Sequence, residues 1–222
     1  MEHLKDSLNK TLKSTDLHGV TAGLAEVALD SLLEKGVLKD IPIIGSILGL
    51  GKAAVTIKDQ LFLKKLITFL SETSTVDVEK RNEVISKIES SGKYRVSVGE
   101  KLLYIIDRCD DFEKAELVSK VFSAFLNNKM TYDQFLRCTV AIDKVFLTDL
   151  YEFINSEWDS IDIADEPNLL NTGLVGVLGP EVTVEDQWDH KAGNKYIVEG
   201  ADFLIFVSDI GWLIRETLAT KR

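Results

Sequence analysis

The sequence predicts a mainly α protein, a multi-helix bundle that carries a small C-terminal lobe of β-hairpin plus helix, winged-helix-like in its order. Three observations carry this. Between Asp77 and Trp158, apolar residues recur at helical spacing in successive runs joined by very short connections, and short connections make neighbouring helices antiparallel. Before them, Ile41 to Ile57 holds a single charge and reads as a buried or membrane-facing helix. After Ser156 the helical period lapses, Pro167 interrupts the chain, and glycine-bounded apolar runs take its place.

In chain order, Leu4, Leu8 and Leu12 form a narrow apolar stripe on a polar segment, which suits a helix lying on the body of the protein. Thr15 and Asp16 can cap the next run. Over His18 to Leu33, Val20, Leu24, Val27, Ala28, Leu32 and Leu33 oppose Glu26, Asp30 and Glu34, and Gly36 ends the helix. Asp40 then suits an N-cap and Pro42 a first helical turn, where a missing N–H costs nothing.

The run from Ile41 to Ile57 is the most apolar in the chain. Gly45, Gly49 and Ala53 recur every four residues, so one helix would place them on a smooth strip where another backbone can approach. With Ile44 and Leu50 flanking them, Ile44, Gly45, Gly49, Leu50 and Ala53 are the predicted interaction residues. Each glycine weakens a lone helix by about 1 kcal/mol relative to alanine, so tertiary contact has to compensate. Seventeen residues of helix extend about 25 Å, short of the roughly 30 Å hydrocarbon layer of a bilayer. From Lys58 the pattern turns amphipathic, with Leu61, Phe62, Leu66, Phe69 and Leu70 opposing Lys58, Asp59, Lys64 and Lys65.

The middle of the chain reads as helices over Asp77 to Ile88, Ser97 to Cys109, Asp111 to Leu126 and Tyr132 to Phe146, with Thr131 as the cap of the last. Leu147 to Trp158 adds a short one. In the C-terminal lobe, Gly173 to Leu178 and Lys195 to Val198 are expected to pair as antiparallel strands. Ala201 to Leu218 is expected as a single helix backing them through Phe203, Phe206, Val207, Ile210 and Leu213. The expected divisions are 1–72, 73–158 and 159–222.

Net charge −10 and pI near 4.9 disfavour nucleic acid and anionic lipid, which need clustered Lys and Arg. Cys109 and Cys138 lack a CxxC spacing and read as buried thiols of a reducing compartment. The N-terminal Met-Glu-His-Leu-Lys-Asp lacks the pattern of a signal peptide, so the expected location is cytoplasmic, with peripheral membrane contact as an option.

Chemistry-bearing motifs are sparse. His3, His18 and His190 share no zinc spacing, and His190 with Asp186 and Asp189 is the one local group of metal-ligand character. Asp107, Asp110 and Asp111 lack the glycine that a calcium loop requires. Gly45 to Lys52 imitates a phosphate loop, but Ala53 follows the lysine and no strand precedes it. The sequence therefore points away from an enzyme, a cofactor, a metal or a small-molecule substrate, and toward a protein partner or self-association.

Ile-Pro-Ile-Ile-Gly at 41–45, Leu-Phe-Leu-Lys-Lys-Leu at 61–66, Gly-Leu-Val at 173–175 and Tyr-Ile-Val at 196–198, followed by Ala201, Phe203 and Leu204, together resemble bacterial proteins of the abortive-infection alpha family. The resemblance covers about two-thirds of the chain and implies a cytosolic protein used in defence against phage. It offers no catalytic residues. The expected function is a non-enzymatic effector acting through a sheltered apolar helix on a membrane or partner; the alternative is a helical adaptor that binds another protein.

Overall fold

The computed structural model describes residues 2–14, 17, 41–49, 56–180, 182–186, 196–200 and 203–219. It divides into two compact units, 1–143 and 144–221. The division falls at neither 72/73 nor 158/159. The physical reason is that the helix Ile57–Thr73 packs along Phe112–Leu126, so the N-terminal and middle helices share one core.

The first unit holds α1 (Glu2–Leu12), α2 (Pro42–Leu48), α3 (Ile57–Thr73), α4 (Val78–Ser90), α5 (Val98–Arg108), α6 (Phe112–Leu126) and α7 (Tyr132–Lys144). Their starts follow capping chemistry. Asp77, Ser97 and Asp111 each accept backbone N–H bonds from the first turn they precede. Thr131 accepts from Gln134 N–H at 3.2 Å while Gln134 Oε1 accepts from Thr131 N–H at 2.8 Å, a reciprocal box. The core is aromatic at its centre: Phe122 stands 5.4 Å from Phe69 and 5.3 Å from Phe135, ring centre to ring centre, and Tyr132 stands 5.3 Å from Phe125. Full burial of a side chain such as Phe122 is worth about 1.5–3 kcal/mol.

A buried cation ties α4 to the end of α1. Arg81 on α4 is fully buried and donates from one terminal nitrogen to the Leu12 carbonyl at 2.8 Å and from the other to that of Ser14 at 3.1 Å. It thereby satisfies carbonyls that the end of α1 leaves open.

The helix expected over Ile41 to Ile57 is shorter in the described residues. α2 closes at Leu48 with Gly49 as its C-cap, and α3 opens at Thr56, where a capping box with Asp59 gives a new start. Ile41, not Asp40, is the N-cap of α2, and Pro42 sits in its first turn as expected. Ile57 is 76% exposed and Leu61 60%, so Ile57 does not belong to a buried run and Leu61 leaves the predicted inward face. The expected helix over His18 to Leu33 and its stop at Gly36 lie outside the described residues.

The second unit holds α8 (Leu147–Asn155), β1 (Ser160–Asp162), a 3₁₀ turn (Pro167–Leu169), β2 (Val175–Leu178), β3 (Val182–Asp186), β4 (Tyr196–Gly200), β5 (Leu204–Val207) and α9 (Asp209–Leu218). The described residues thus form a helical bundle plus a small antiparallel lobe and final helix, the predicted class. The pairing differs from the expectation. β2 pairs with β5 rather than with the 195–198 segment, of which Tyr196 to Val198, in β4, pair with β3. Register runs from Val175 opposite Val207 to Leu178 opposite Leu204, and again from Val182 opposite Gly200 to Asp186 opposite Tyr196. Both ladders keep the same register offset, in two separate sheets. β1 adds to the other side of β5, giving the order β1-β5-β2.

Ala201 to Leu218 is also not one helix. Leu204 to Val207 alternate exposed and buried, the period of a strand, and Ser208 caps a helix that begins only at Asp209. Gly211 makes this join possible, because a Cβ there would overlap the Leu174 carbonyl oxygen and stand 2.9 Å from Val207 Cγ1. Arg215, 6% exposed, closes the unit by donating to the carbonyls of Phe153 (3.0 Å) and Trp158 (2.7 Å) and to Ser156 Oγ (2.6 Å). Its guanidinium lies 4.4 Å from the Phe153 ring centre, 4.8 Å from that of Trp158 and 5.3 Å from that of Trp212.

Candidate binding cleft of the helical unit

α1 is an amphipathic helix that buries Leu8 and Leu12 and holds its neighbours by polar ties. Ser7 and Ser46 share a hydroxyl hydrogen bond of 2.7 Å, Thr11 Oγ1 accepts the Ile43 N–H at 3.1 Å, and Asn9 Oδ1 accepts the Gly99 N–H at 3.0 Å. These bonds fix α2 on one side of α1 and the first turn of α5 on the other. α3 is pinned to the end of α5 by Lys65, whose ammonium donates to the Asp107 and Cys109 carbonyls at 2.8 Å each.

Between these four helices lies a cleft of about 490 Å³. Leu4, Ile47, Phe62, Leu103 and Tyr104 supply its apolar surface, one or two from each helix. Lys5 and Lys58 stand on its rim with Asp59, Glu100 and Asp107, a mixed set with one extra carboxylate. Thr56 also lines it, but its hydroxyl is committed to the cap of α3, donating to Asp59 Oδ2 at 2.6 Å. The lining therefore offers apolar contact and ion pairing. The volume is that of sites which enclose a ligand or a few side chains of a partner.

Of the predicted interaction residues, Ile44 is fully buried under α1, Gly45 is half-buried and Gly49 is exposed. Among the described residues, a Cβ on Gly49 would meet only the Gly45 carbonyl, 2.8 Å away in its own turn, and no neighbouring helix; α2 has already closed at Leu48. Leu50 and Ala53 lie outside the described residues. The residue of α2 that reaches the cleft is Ile47, which the glycine spacing did not single out.

Leu103, Tyr104 and Phe62 were also missed as site residues. The signal was present in Leu102-Leu103-Tyr104-Ile105-Ile106, five apolar residues in succession on a helix whose buried face holds Leu102 and Ile106. Such a run is too wide for one core face, and its surplus lines open surface.

Cys109 and Cys138 are free and buried, as expected. Burial pushes their thiols up to about 11 and about 12, so both are protonated at neutral pH. Among the described residues, no group of three His, Cys, Asp or Glu side chains is placed to hold a metal ion. The acidic group at His190 and Asp189 lies outside them. Compared with protein-family models, curated proteins and solved structures, the chain matches none.

Proposed function

We propose that this chain is a non-enzymatic interaction module whose helical unit holds an apolar segment of a partner protein in the cleft between α1, α2, α3 and α5. The observation that carries this reading is the cleft of about 490 Å³, beside which Leu61 and Ile57 of α3, sequence neighbours of the cleft's Phe62 and Lys58 and about one turn apart from each other, are largely exposed. An amphipathic helix laid in such a groove would bury its apolar positions on Leu103 and Phe62 and place its basic residues on Asp59, Glu100 and Asp107.

Release of α2 toward a membrane is less well supported. Ile43, Ile44 and Ile47 are already buried, and seven residues make about 10 Å of helix, a third of a bilayer core. Among the described residues, no helix is long and apolar enough to cross a membrane. The phage-defence setting implied by the resemblance to the abortive-infection alpha family rests on its apolar motifs, and the same module would serve there by binding a partner.

The test is a selection of randomly displayed peptides of about twelve residues, roughly three helical turns, on the full chain. Enriched peptides should carry apolar residues at helical spacing, bind Leu103→Met like the parent and lose binding to Leu103→Lys. Peptides that bind Leu103→Lys undiminished, or no enrichment at all, would refute the proposal.

A further inference from the structure

Across Tyr104 from this cleft, a second and smaller recess of about 140 Å³ opens between α5, α6 and α7. Its walls are aliphatic, with Ile105, Val118, Leu136, Val140 and Ile142. Three cations converge on them, Lys101, Arg108 and Lys114, against one carboxylate, Asp143. The chain as a whole carries a net charge of −10, so the local balance is the reverse of the global one.

Lys114 is the informative residue. It is 3% exposed, and its ammonium donates to Asp110 Oδ2 at 2.9 Å and to the Asp143 carbonyl at 3.2 Å. An ammonium has three protons, and the third has no hydrogen-bond acceptor among the described residues. Burying a cation is costly unless an anion accompanies it. The Asp110 side chain is 74% exposed, so water screens much of its charge, and the Asp143 carboxylate is already engaged by Arg108. Cys109 also lines the recess, and its thiol, raised by burial, adds no negative charge. The recess therefore holds a buried ammonium with one donor position to spare among the described residues, and its one lining carboxylate is already paired.

We propose that this recess binds a carboxylate carried on a short branched aliphatic body, with the anion on Lys114 and Lys101 and the branch against Leu136 and Val140. A cavity of about 150 Å³ takes a ligand the size of benzene, so a body of about six heavy atoms fits. The aliphatic walls disfavour phosphate, whose several oxygens would face carbon. Two sources share this chemistry: a free short-chain acid, and the C-terminal carboxylate of a polypeptide ending in valine or leucine. The site is independent of the larger cleft and sets aside the expectation that no small molecule is bound.

Calorimetric titration of the full chain tests it with isovalerate, 3-methyl-1-butanol as its neutral counterpart, inorganic phosphate, and acetyl-Ala-Leu with and without C-terminal amidation. One isovalerate should bind per chain, about ten-fold or more tighter than the alcohol. Val140→Trp should abolish binding by filling the mouth of the recess, where Val140 is 47% exposed and the fold can spare it, and Lys101→Gln should weaken it several-fold. Tighter binding of the free-acid dipeptide than of isovalerate, lost on amidation, identifies a polypeptide C-terminus; binding of isovalerate alone identifies a free acid. Equal binding of the alcohol, preference for phosphate, saturation by neither acid, or indifference to Val140→Trp would overturn the proposal.

Discussion

Gly211→Ala should unfold the C-terminal unit far more readily than its single added methyl suggests. The new Cβ would overlap the Leu174 carbonyl oxygen and sit 2.9 Å from Val207 Cγ1 and 3.0 Å from Phe153 Cζ, all buried. Neither the strand end at Leu174 nor the ring can withdraw, so α9 has to move. That shift strains Ser208, whose N–H donates to the Leu174 carbonyl at 3.0 Å and whose hydroxyl donates to that of Gly173 at 2.7 Å. Overpacking of this kind costs about 1–3 kcal/mol. The two hydrogen bonds are worth about 1 kcal/mol each, and alanine returns up to about 1 kcal/mol of helix propensity. The expected net loss is about 2–4 kcal/mol. All three tryptophans, Trp158, Trp188 and Trp212, belong to this unit, so urea unfolding followed by tryptophan fluorescence reads it separately from the helical one. With a slope of about 1 kcal/mol/M the midpoint should fall by about 2–4 M. Gly179→Ala is the control, because a Cβ there meets nothing within 4 Å among the described residues, and it should leave the midpoint in place. A Gly211→Ala midpoint that coincides with the parent would refute the argument that this glycine makes the strand-to-helix join.

Three further outcomes are expected. Glu166→Gln should stabilise the same unit at neutral pH. Burial, then Glu152, Asp149 and Asp165, raises the Glu166 carboxyl, so the folded state binds its proton more tightly than the unfolded chain and loses stability as pH rises from about 4.3 through the raised value. The gain should therefore vanish in acid below that window, and a gain that persists there would contradict the assignment. Cys109 and Cys138 should resist a thiol reagent at pH 8 in the folded protein and react together in urea; fast labelling of either in the native state would show that burial does not hold its thiol protonated. Arg81→Met should speed amide exchange in α1 and lower the stability of the helical unit by about 1–3 kcal/mol, because the Leu12 and Ser14 carbonyls lose their donor. Unchanged exchange in α1 would refute the tie.

The helices of the bundle were legible because each carries its own period and its own cap: Asp77, Ser97, Asp111 and Thr131 mark starts that the structure keeps within a residue. The break between α2 and α3 was signalled by Thr56 and Asp59, a capping pair three residues apart, but the continuous apolar run around it masked the signal. At 201–218 the error had the same origin. Phe203 to Val207 is apolar at every position, so it fits a buried helix and a strand alike, and the arbiter was the Ser208-Asp209 cap. Pairing of β3 with β4 depends on the register between the two strands, which no single strand encodes. The cleft was the least legible feature. Its residues come from four helices, and whether Leu103 or Ile47 faces core or solvent is decided by the angles at which those helices cross. Arg81 and Arg215 are of the same kind, surface residues by type whose burial follows from the carbonyl groups that folding brings around them.

The most direct test of the binding cleft is the map of amide and methyl signals in isotope-labelled protein as a selected helical peptide is added. Perturbations should concentrate on Leu4, Ile47, Phe62, Leu103 and Tyr104 and should disappear in Leu103→Lys, while Val182 to Asp186 of the hairpin stay in place. Perturbations centred on Val182 to Asp186, with the cleft residues unmoved, would contradict the account.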